Sequence, residues 1–331
     1  MSVLCLLERD GAGVADVSLR ALTLARDLAA PAGDSLAAVF IGGGAPAGAL
    51  PVLSAFGAAE VLAVSGDGLT GYAPLGWARI LAQLAGSAGA TAVLAAATDR
   101  GSEVMAHLGA ITGLPVAANC VSAQGDPQAG AGAIRLIRQR WAGSVLEDAV
   151  LEASPALLTV AADAVPARPS PEPGQARVQV ITAELQDGDL DVHAAESAER
   201  GSGVSLATAR VVVSGGRGVG GPEGFGALEE LAGLLGGTLG VSRVVTSQGW
   251  RPHRQQVGQT GTRISPELYL ACGISGAIQH MAGCQSARHI VAVNTDPDAP
   301  IISRADYAVI GDLNQVIPAL VAALRERAAR A

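Results

Sequence analysis

The fold is decided at Val211-Val212-Val213-Ser214-Gly215-Gly216-Arg217-Gly218-Val219-Gly220, where an apolar strand runs into a glycine-rich turn that leads to a helix. Such a turn lets backbone N–H groups approach a phosphate, and the helix N-terminus adds a favourable field. The spacing matches the dinucleotide-binding pattern G-x-G-x-x-G only approximately, so a plain tight turn explains it at least as well. Arg217 favours the phosphate interpretation, because a guanidinium can pair with phosphate through two hydrogen bonds.

Two later stretches strengthen the prediction of a nucleotide site. The first, Gln256-Val257-Gly258-Gln259-Thr260-Gly261, is a polar loop punctuated by glycine. In the second, residues 269–280, an apolar strand ends in a Gly-x-Ser-Gly turn and a helix carrying Gln279 and His280 begins. Ser275 is suited to be the N-cap of that helix or a phosphate ligand. Two glycine-rich strand-to-helix turns predict a doubly wound α/β domain with its ligand crevice at the strand ends.

The first half of the chain alternates short apolar runs with helical patterns. Strands are predicted at 3–7, 36–41, 60–64 and 92–97, and helices at 17–28, 75–85 and 101–113. This order predicts a mostly parallel sheet with helices on its faces. Residues 134–160 instead contain short strand-like runs without a clear helix, a pattern that is typical of antiparallel strands added to the edge of such a layer. Residues 177–185 indicate one more strand.

Composition shifts divide the chain into two domains. Residues 165–174 contain four prolines and indicate an extended connector. Residues 186–203 are acidic and then rich in serine, glutamate and glycine. We therefore predict an N-terminal α/β domain at 1–203 and a nucleotide-binding domain at 204–331. In the second domain we expect a strand from 209, a helix at 228–235, strands at 290–293 and 307–310, and a terminal helix at 316–330.

The composition excludes several classes of protein. A chain of 331 residues that is 49% hydrophobic and 16% charged is long enough for two packed domains and too apolar to be disordered. Its net charge of −8 argues against nucleic-acid binding, which requires a basic face. The cysteines are widely spaced and form no C-x-x-C pair, so neither a disulfide framework nor a zinc site is indicated.

No segment predicts a membrane span or a targeting sequence. The longest uncharged stretch, between Asp34 and Glu60, is interrupted by three consecutive glycines at 42–44 and by Pro46 and Pro51, whereas a span needs about 20 apolar residues in succession. The chain opens directly on a strand-like run without a basic presequence. We therefore expect a cytoplasmic, bacterial protein.

Residues 209–324 resemble the flavin-binding domain of the electron transfer flavoprotein alpha subunit, also called the FixB family. The resemblance rests on eight blocks with the family's spacing: Ser-Gly-Gly-Arg-Gly at 214–218, Ser-Arg at 242–243, Gln-Val-Gly-Gln-Thr-Gly at 256–261, Pro-Glu-Leu-Tyr at 266–269, Gly-Ile-Ser-Gly-Ala-Ile-Gln-His at 273–280, Ile-Val-Ala-Val-Asn at 290–294, Asp-Pro-Asp-Ala-Pro-Ile at 296–301 and Ala-Asp-Tyr at 305–307. Residues 1–185 resemble the family's N-terminal domain more loosely.

The resemblance implies a cofactor and partners. It implies one FAD in this chain and an obligate heterodimer with a beta subunit that holds AMP or a second FAD. It also implies electron transfer from flavin dehydrogenases, such as acyl-CoA dehydrogenases, to an electron transfer flavoprotein–quinone oxidoreductase or a similar acceptor. Such a protein is an electron carrier and catalyses no bond chemistry of its own.

The resemblance also implies roles for residues that match the motifs. Arg217 would contact the pyrophosphate or ribityl side, and Ser242 and Arg243 would lie at the flavin edge. The loop residues Val257, Gly258, Gln259 and Thr260 would wrap the flavin, with Thr260 near its N5. The segment that runs from the pyrophosphate to the pyrimidine side of the flavin ring would consist of Ser275, Gly276, Ala277, Ile278, Gln279 and His280. The adenosine end would be held by Asn294, Asp312 and Leu313.

Three of these residues are candidates for tuning the redox potential. An electron carrier of this kind must stabilise negative charge on its flavin, and a fixed cation or a hydrogen-bond donor near the ring does so. Arg243 is always charged, whereas histidine titrates near neutrality, so His280 could supply either charge or a donor. Thr260 is the third candidate. Two alternatives stay open, since Arg243 could be a solvated surface charge and His280 a helix-surface histidine.

The sequence departs from the family's pattern near Arg243, and two functions other than that of a simple electron carrier stay open. Ser247 stands where the family commonly has aspartate, which bears on the electrostatics around Arg243. The chain could instead be the alpha subunit of an electron-bifurcating complex that uses NADH and a second FAD in the beta subunit. It could also be a nucleotide-binding structural protein without flavin. One, two or no flavins per heterodimer would separate these functions.

Overall fold

The computed structural model describes residues 1–194 and 206–330, apart from Ala12, Ala47, Thr70, Pro127, Ala131, Ala162 and Thr208. The chain forms two compact units, Met1–Ala198 and Glu199–Ala331. The domain boundary that the sequence predicts, between 203 and 204, lies outside the described residues and stays a prediction. No helix in the described part of the chain is long and apolar enough to cross a bilayer.

The first unit is an α/β layer. Its strands are β1 (Ser2–Leu6), β2 (Arg9–Asp10), β3 (Gly13–Val14), β4 (Ser35–Ile41), β5 (Glu60–Ser65), β6 (Ala90–Ala96), β7 (Val116–Gly125), β8 (Ala133–Arg140), β9 (Val145–Glu152), β10 (Ala156–Val160) and β11 (Arg177–Thr182). Its helices are α1 (Asp16–Ala32), α2 (Ala49–Ala55), α3 (Pro74–Ser87) and α4 (Asp99–Thr112), with a short 3-10 turn at Trp141–Gly143. In the described part of this unit, nine strands form one sheet in the order β11-β5-β4-β1-β6-β10-β7-β8-β9.

This sheet confirms the predicted parallel layer and refines its edge. The strands from β11 to β7 pair in parallel. Strands β8 and β9 are antiparallel, as the sequence predicts. Strand β10 differs, since it runs parallel between β6 and β7 and is buried throughout. Its five residues are Ala-Leu-Leu-Thr-Val, a nearly continuous apolar run that suits a central parallel strand and not an edge.

The second unit is a doubly wound parallel sheet. It contains β12 (Val211–Gly215), β13 (Thr238–Val241), β14 (Leu268–Cys272), β15 (His289–Asn294) and β16 (Tyr307–Ile310). Its helices are α5 (Gly226–Leu234), α6 (Arg243–Ser247), α7 (Ile278–Cys284) and α8 (Leu313–Arg330), with 3-10 turns at Arg217–Val219, Pro222–Phe225, His253–Gln255 and Ile302–Arg304. The strand order among the described residues is β13-β12-β14-β15-β16.

The register of this sheet brings its carboxyl ends to one edge. Gly215 pairs with both Val241 and Cys272, and Cys272 pairs with Val293. Apolar clusters cover both faces, one around Phe225 and the other around Tyr269. The chain leaves β12 toward β13 on one side and returns to β14 on the other, which opens a crevice where the order reverses. The loops that follow the five strands therefore meet at this edge.

Candidate functional site

A cavity of about 800 Å³ lies at the carboxyl edge of the second sheet. Its size is that of a pocket for a small molecule or cofactor. Each of the five strands contributes the residues that follow its end, together with the loop at 256–260. The lining comprises Arg217, Gly218, Ser242, Arg243, Val244, Ser247, Gln248, Gln256, Val257, Gly258, Gln259, Thr260, Gly273, Ile274, Ser275, Gly276, Ala277, Gln279, His280, Asn294, Thr295, Asp296, Ala299, Gly311, Asp312 and Leu313.

The glycine turn after β12 is bonded to the end of β14 through two of its backbone donors. The N–H groups of Gly216 and Gly218 donate to the carbonyls of Cys272 (2.9 Å) and Gly273 (3.0 Å). A Cβ on Gly216 would lie 2.2 Å from the Gly273 oxygen, so only glycine permits this approach. These donors are already used, and the expectation that this turn presents them to a ligand is wrong. Arg217 remains exposed beside the cavity without an ion-pair partner among the described residues.

The turn after β14 presents the donors instead. The backbone N–H groups of residues 275–279 donate to no described residue. They precede and begin α7, where partial positive charge favours an anion. Ser275 is not the N-cap, because the helix begins at Ile278 after Ala277, and Ala277 offers no capping side chain. The side chain of Ser275 is exposed at the cavity and is free to serve the second predicted role, that of a ligand contact.

The loop at 256–261 is anchored by hydrogen bonds at both ends. The N–H of Val257 donates to the Val241 carbonyl at 2.9 Å, and the N–H of Gln259 donates to the Gln279 carbonyl at 2.8 Å. These bonds fix the loop against β13 on one side and α7 on the other. The loop is therefore a preformed wall of the cavity.

A buried amide sets the direction of the Thr260 hydroxyl. Gln256 accepts a hydrogen bond from Thr246 (2.6 Å) through Oε1 and donates one to Thr260 Oγ1 (3.0 Å) through Nε2. Since Thr260 Oγ1 accepts from this amide, its own proton is available to a ligand at the cavity. This agrees with the choice of Thr260 as a ring-facing donor, although its contact with a flavin stays a prediction.

His280 is buried and neutral. Its side chain lines the cavity, yet the residue is only 7% exposed, so the helix-surface interpretation is wrong. Desolvation lowers the pKa of His280 from 6.5 to about 4, and the nearby Val257 carbonyl opposes this to a smaller extent. Histidine therefore contributes a hydrogen bond here and not a charge at neutral pH. Its Nε2 lies 2.6 Å from the Tyr269 hydroxyl, and its Nδ1 has no hydrogen-bond partner among the described residues.

The His280→Gln variant is expected to lose the destabilisation that His280 causes at acidic pH, and so to be less sensitive to acid than the natural protein. Because the folded pKa lies below that of the unfolded chain, only the unfolded chain takes up this proton between pH 6.5 and about 4. His280 thus costs nothing above pH 6.5 and destabilises the fold increasingly toward pH 4, by about 3 kcal/mol in all. Urea unfolding of both proteins between pH 4.5 and 7.5 measures the difference. Identical pH profiles would contradict the burial of a neutral imidazole.

The remaining predicted residues lie at three other strand ends. Ser242 and Arg243 join β13 to α6, and Arg243 is exposed at the cavity without an ion-pair partner in the described part of the chain. Asn294 donates to the Ile274 carbonyl at 2.9 Å, which ties β15 to the turn after β14. Asp312 accepts from the N–H of Asn314 at 2.9 Å and so caps the start of α8, where Leu313 is buried.

The structure brings together all but one of the predicted site residues. Ile278 is 82% exposed and does not line the cavity, because the first turn of α7 directs it away. The lining also includes residues outside the predicted set, notably Val244 and Gln248 on α6 and Asp296 after β15. Each lies within five residues of a predicted residue, so the sequence located the segments that contain them. Which side chains of those segments face the cavity depends on the rotation of the helices, and the sequence did not predict that rotation.

Comparison with known proteins identifies both units. A family model described as the electron transfer flavoprotein domain matches residues 3–186, and one described as the electron transfer flavoprotein FAD-binding domain matches residues 205–285. The electron transfer flavoprotein subunit alpha of Mycobacterium tuberculosis (strain H37Rv) is 38% identical over 328 residues, which cover 98% of each chain. That of Thermoanaerobacterium thermosaccharolyticum is 34% identical over 313 residues, or 94% of each chain. A protein named FixB from Clostridium saccharobutylicum is 33% identical over 312 residues, or 94% of this chain and 92% of its own.

The matches cover nearly the full chain on both sides, and the match to the FAD-binding domain lies within the unit that holds the cavity. They agree with the resemblance that the motifs at 214–218, 256–261 and 273–280 indicate. The chain belongs to the electron transfer flavoprotein alpha-subunit family, a family of flavin-binding electron carriers.

Proposed function

We propose that this chain binds one FAD in the cavity of its second unit and, as a heterodimer with a beta subunit, carries electrons from flavin dehydrogenases to a quinone reductase or a similar acceptor. Acyl-CoA dehydrogenases are the donors that the family suggests. The observation that carries the proposal is the convergence of five parallel strand ends on one cavity. Among the described residues, its N–H groups at 275–279 and the guanidinium groups of Arg217 and Arg243 have no partner.

The residues fit the chemistry of FAD. The open N–H groups of 275–279 and the Arg217 guanidinium suit a pyrophosphate. Val244, Val257 and Ile274 supply apolar surface for a flat ring system. The free proton of Thr260 suits the polar edge of such a ring. Bound FAD would supply the capacity to take up and release electrons, while the chain orients it and adjusts its potential.

The test is the flavin content of the purified heterodimer. A yellow protein with one FAD and no bound NAD is expected. A colourless complex that stays free of flavin after incubation with FAD would overturn the proposal. Two flavins per heterodimer would instead favour the bifurcating function, in which the beta subunit holds a second FAD and reacts with NADH; one FAD with AMP in the beta subunit is the result that the proposed carrier requires.

The Arg243→Ala variant is expected to lower the first-electron potential of the bound flavin. A fixed cation within ~4–6 Å of the ring favours the reduced, negatively charged flavin. Its removal should cost on the order of 1–3 kcal/mol, which corresponds to about 40–130 mV for one electron. Potentiometric titration measures the shift, with Arg304→Ala as control, because Arg304 is exposed but does not line the cavity. Equal potentials in both variants would mean that Arg243 does not face the ring.

An outer ribbon of the first sheet, residues 137–150, exposes several apolar side chains between its charged residues and supports the requirement for a partner. Strand β9 is an outer strand of the first sheet and pairs with β8. The two strands and their connection expose Trp141 (84%), Leu146 (63%), Val145 and Val150. Water-exposed apolar side chains beside an unpaired strand edge favour contact with another chain. We assign this ribbon, residues 137–150, to contact with the beta subunit.

A further inference from the structure

The side-chain amide of Gln256 joins two threonine hydroxyls at the wall of the cavity. The residue is only 2% exposed. Its Oε1 lies 2.6 Å from Oγ1 of Thr246 on α6, and its Nε2 lies 3.0 Å from Oγ1 of Thr260. Its backbone is held as well, because its N–H donates to the His253 carbonyl at 2.9 Å and its carbonyl accepts from the N–H of Thr262 at 2.7 Å. The amide is therefore fixed in place, and its direction decides which threonine receives a proton from it.

The two distances indicate the direction of this amide. With its nitrogen turned to Thr246, the Thr246 proton would go to the Arg243 carbonyl, 2.9 Å from that hydroxyl, and Thr260 would donate to the amide oxygen. A separation of 2.6 Å is usual for O–H···O but short for N–H···O, whereas 3.0 Å is a common N–H···O distance. The Thr246 hydroxyl therefore donates to Oε1, and Nε2 donates to Thr260.

The two ends of this series of hydrogen bonds differ in what they reach. Thr260 is exposed at the cavity, and its hydroxyl donates to no group in the described part of the chain. Thr246 is half-buried and does not line the cavity, so its hydroxyl does not touch a ligand there. Any effect of the Thr246 hydroxyl on such a ligand has to pass through Gln256 and Thr260.

We propose that Thr246 is a positioning residue: its hydroxyl donates to Oε1 of Gln256 and so keeps Nε2 turned to Thr260, whose own proton then points into the cavity. This inference rests on the proposed flavin-binding function. A hydroxyl proton at this wall stabilises negative charge on a reduced flavin, whereas the reversed amide would take that proton and leave a lone pair there. Thr246 thus sets the polarity of a group that it does not itself present to the cofactor.

The first test reads the direction of the amide and needs no flavin. The full-length chain is co-expressed with its beta subunit, labelled with 15N-glutamine and stripped of flavin, and nuclear Overhauser effects from the side-chain amide protons are recorded. The Gln256 signals are assigned by their loss in Gln256→Leu. In the natural protein we expect effects to the side chain of Thr260 and none to that of Thr246.

Two substitutions at one position complete this test. Thr246→Val keeps the shape of the side chain but removes its hydroxyl, so the amide should turn in part and show effects to residue 246 as well. Thr246→Ser is the matched control, because it keeps the hydroxyl and should keep the natural pattern. Effects to Thr246 in the natural protein, or an unchanged pattern in Thr246→Val, would overturn the proposal.

The second test measures the consequence for the cofactor. After reconstitution with FAD, Thr246→Val should reduce the preference for reduced over oxidised FAD about three- to tenfold, as expected for the partial loss of one hydrogen bond. Thr246→Ser should not change it. In a Thr260→Val background, Thr246→Val should have no further effect, since the hydroxyl through which it acts is gone. Additive effects of the two substitutions would mean that Thr246 acts by another route and would overturn the proposal.

The two tests fail independently. If the complex binds no FAD, the proposed function fails, while the Overhauser effects still show whether Thr246 sets the direction of the amide. If FAD binds but the potentials of Thr246→Val and Thr246→Ser agree, the positioning role toward the cofactor is wrong.

Discussion

Gly276→Ala is expected to destabilise the second unit by about 3 kcal/mol or more and to abolish FAD retention. Gly276 has a backbone φ of +81°, and a Cβ there would lie 2.5 Å from the nitrogen of Ile301 and 2.7 Å from its Cα. The left-handed conformation costs about 1–2 kcal/mol for alanine, and overpacking against backbone adds about 1–3 kcal/mol. The turn would have to move, and the open N–H groups of 275–279 would move with it.

Gly220→Ala is the matched control for this prediction. Gly220 has a φ of +91°, but a Cβ there would meet no atom within 4 Å. It should therefore show only the conformational cost of about 1–2 kcal/mol and keep its FAD. Denaturant unfolding and the flavin content of the purified complex measure both effects. Equal losses of stability with FAD retained in both variants would show that the approach of Gly276 to Ile301 is unimportant.

Expression of the chain without a beta subunit is expected to give aggregates or a species that retains FAD poorly. The exposed apolar side chains of the ribbon at residues 137–150 would then face water beside the outer edge of the sheet. Obligate interfaces bury more than ~2,000 Å² and have apolar centres, so a lone chain would expose a comparable surface. Size-exclusion chromatography and flavin content measure the result. A monodisperse alpha monomer with stoichiometric FAD and full electron-transfer rate would contradict it.

A pair of variants tests which sheet edge meets the partner. Leu146→Glu on β9 should sharply reduce co-purification of the beta subunit, because it places a charge within an apolar contact. Val180→Glu on β11 is the control, since Val180 is an exposed residue on the opposite outer strand of the same sheet. If only Val180→Glu reduced co-purification of the beta subunit, the interface would lie at the β11 edge and the assignment to β9 would be wrong.

The sequence by itself determined the layers and the location of the site. Apolar runs that end in glycine, such as 211–220, are local signals, because a buried strand and the turn that leaves it need particular residues within a few positions. The alternation of such runs with helical patterns implies parallel strands, whose carboxyl ends must share one edge. For this reason nearly all predicted site residues converge on the cavity.

The tertiary structure alone decided what those residues can do. The donors of Gly216 and Gly218 are used by carbonyls of β14, which lies more than 50 residues further along the chain. His280 is neutral because burial desolvates it, and the polar groups nearest to its ring are the Tyr269 hydroxyl on β14 and the Val257 carbonyl of the loop after β13. Sequence patterns record which face of an element is buried. Desolvation and hydrogen-bond direction depend on contacts between distant segments, and only the folded chain fixes those contacts.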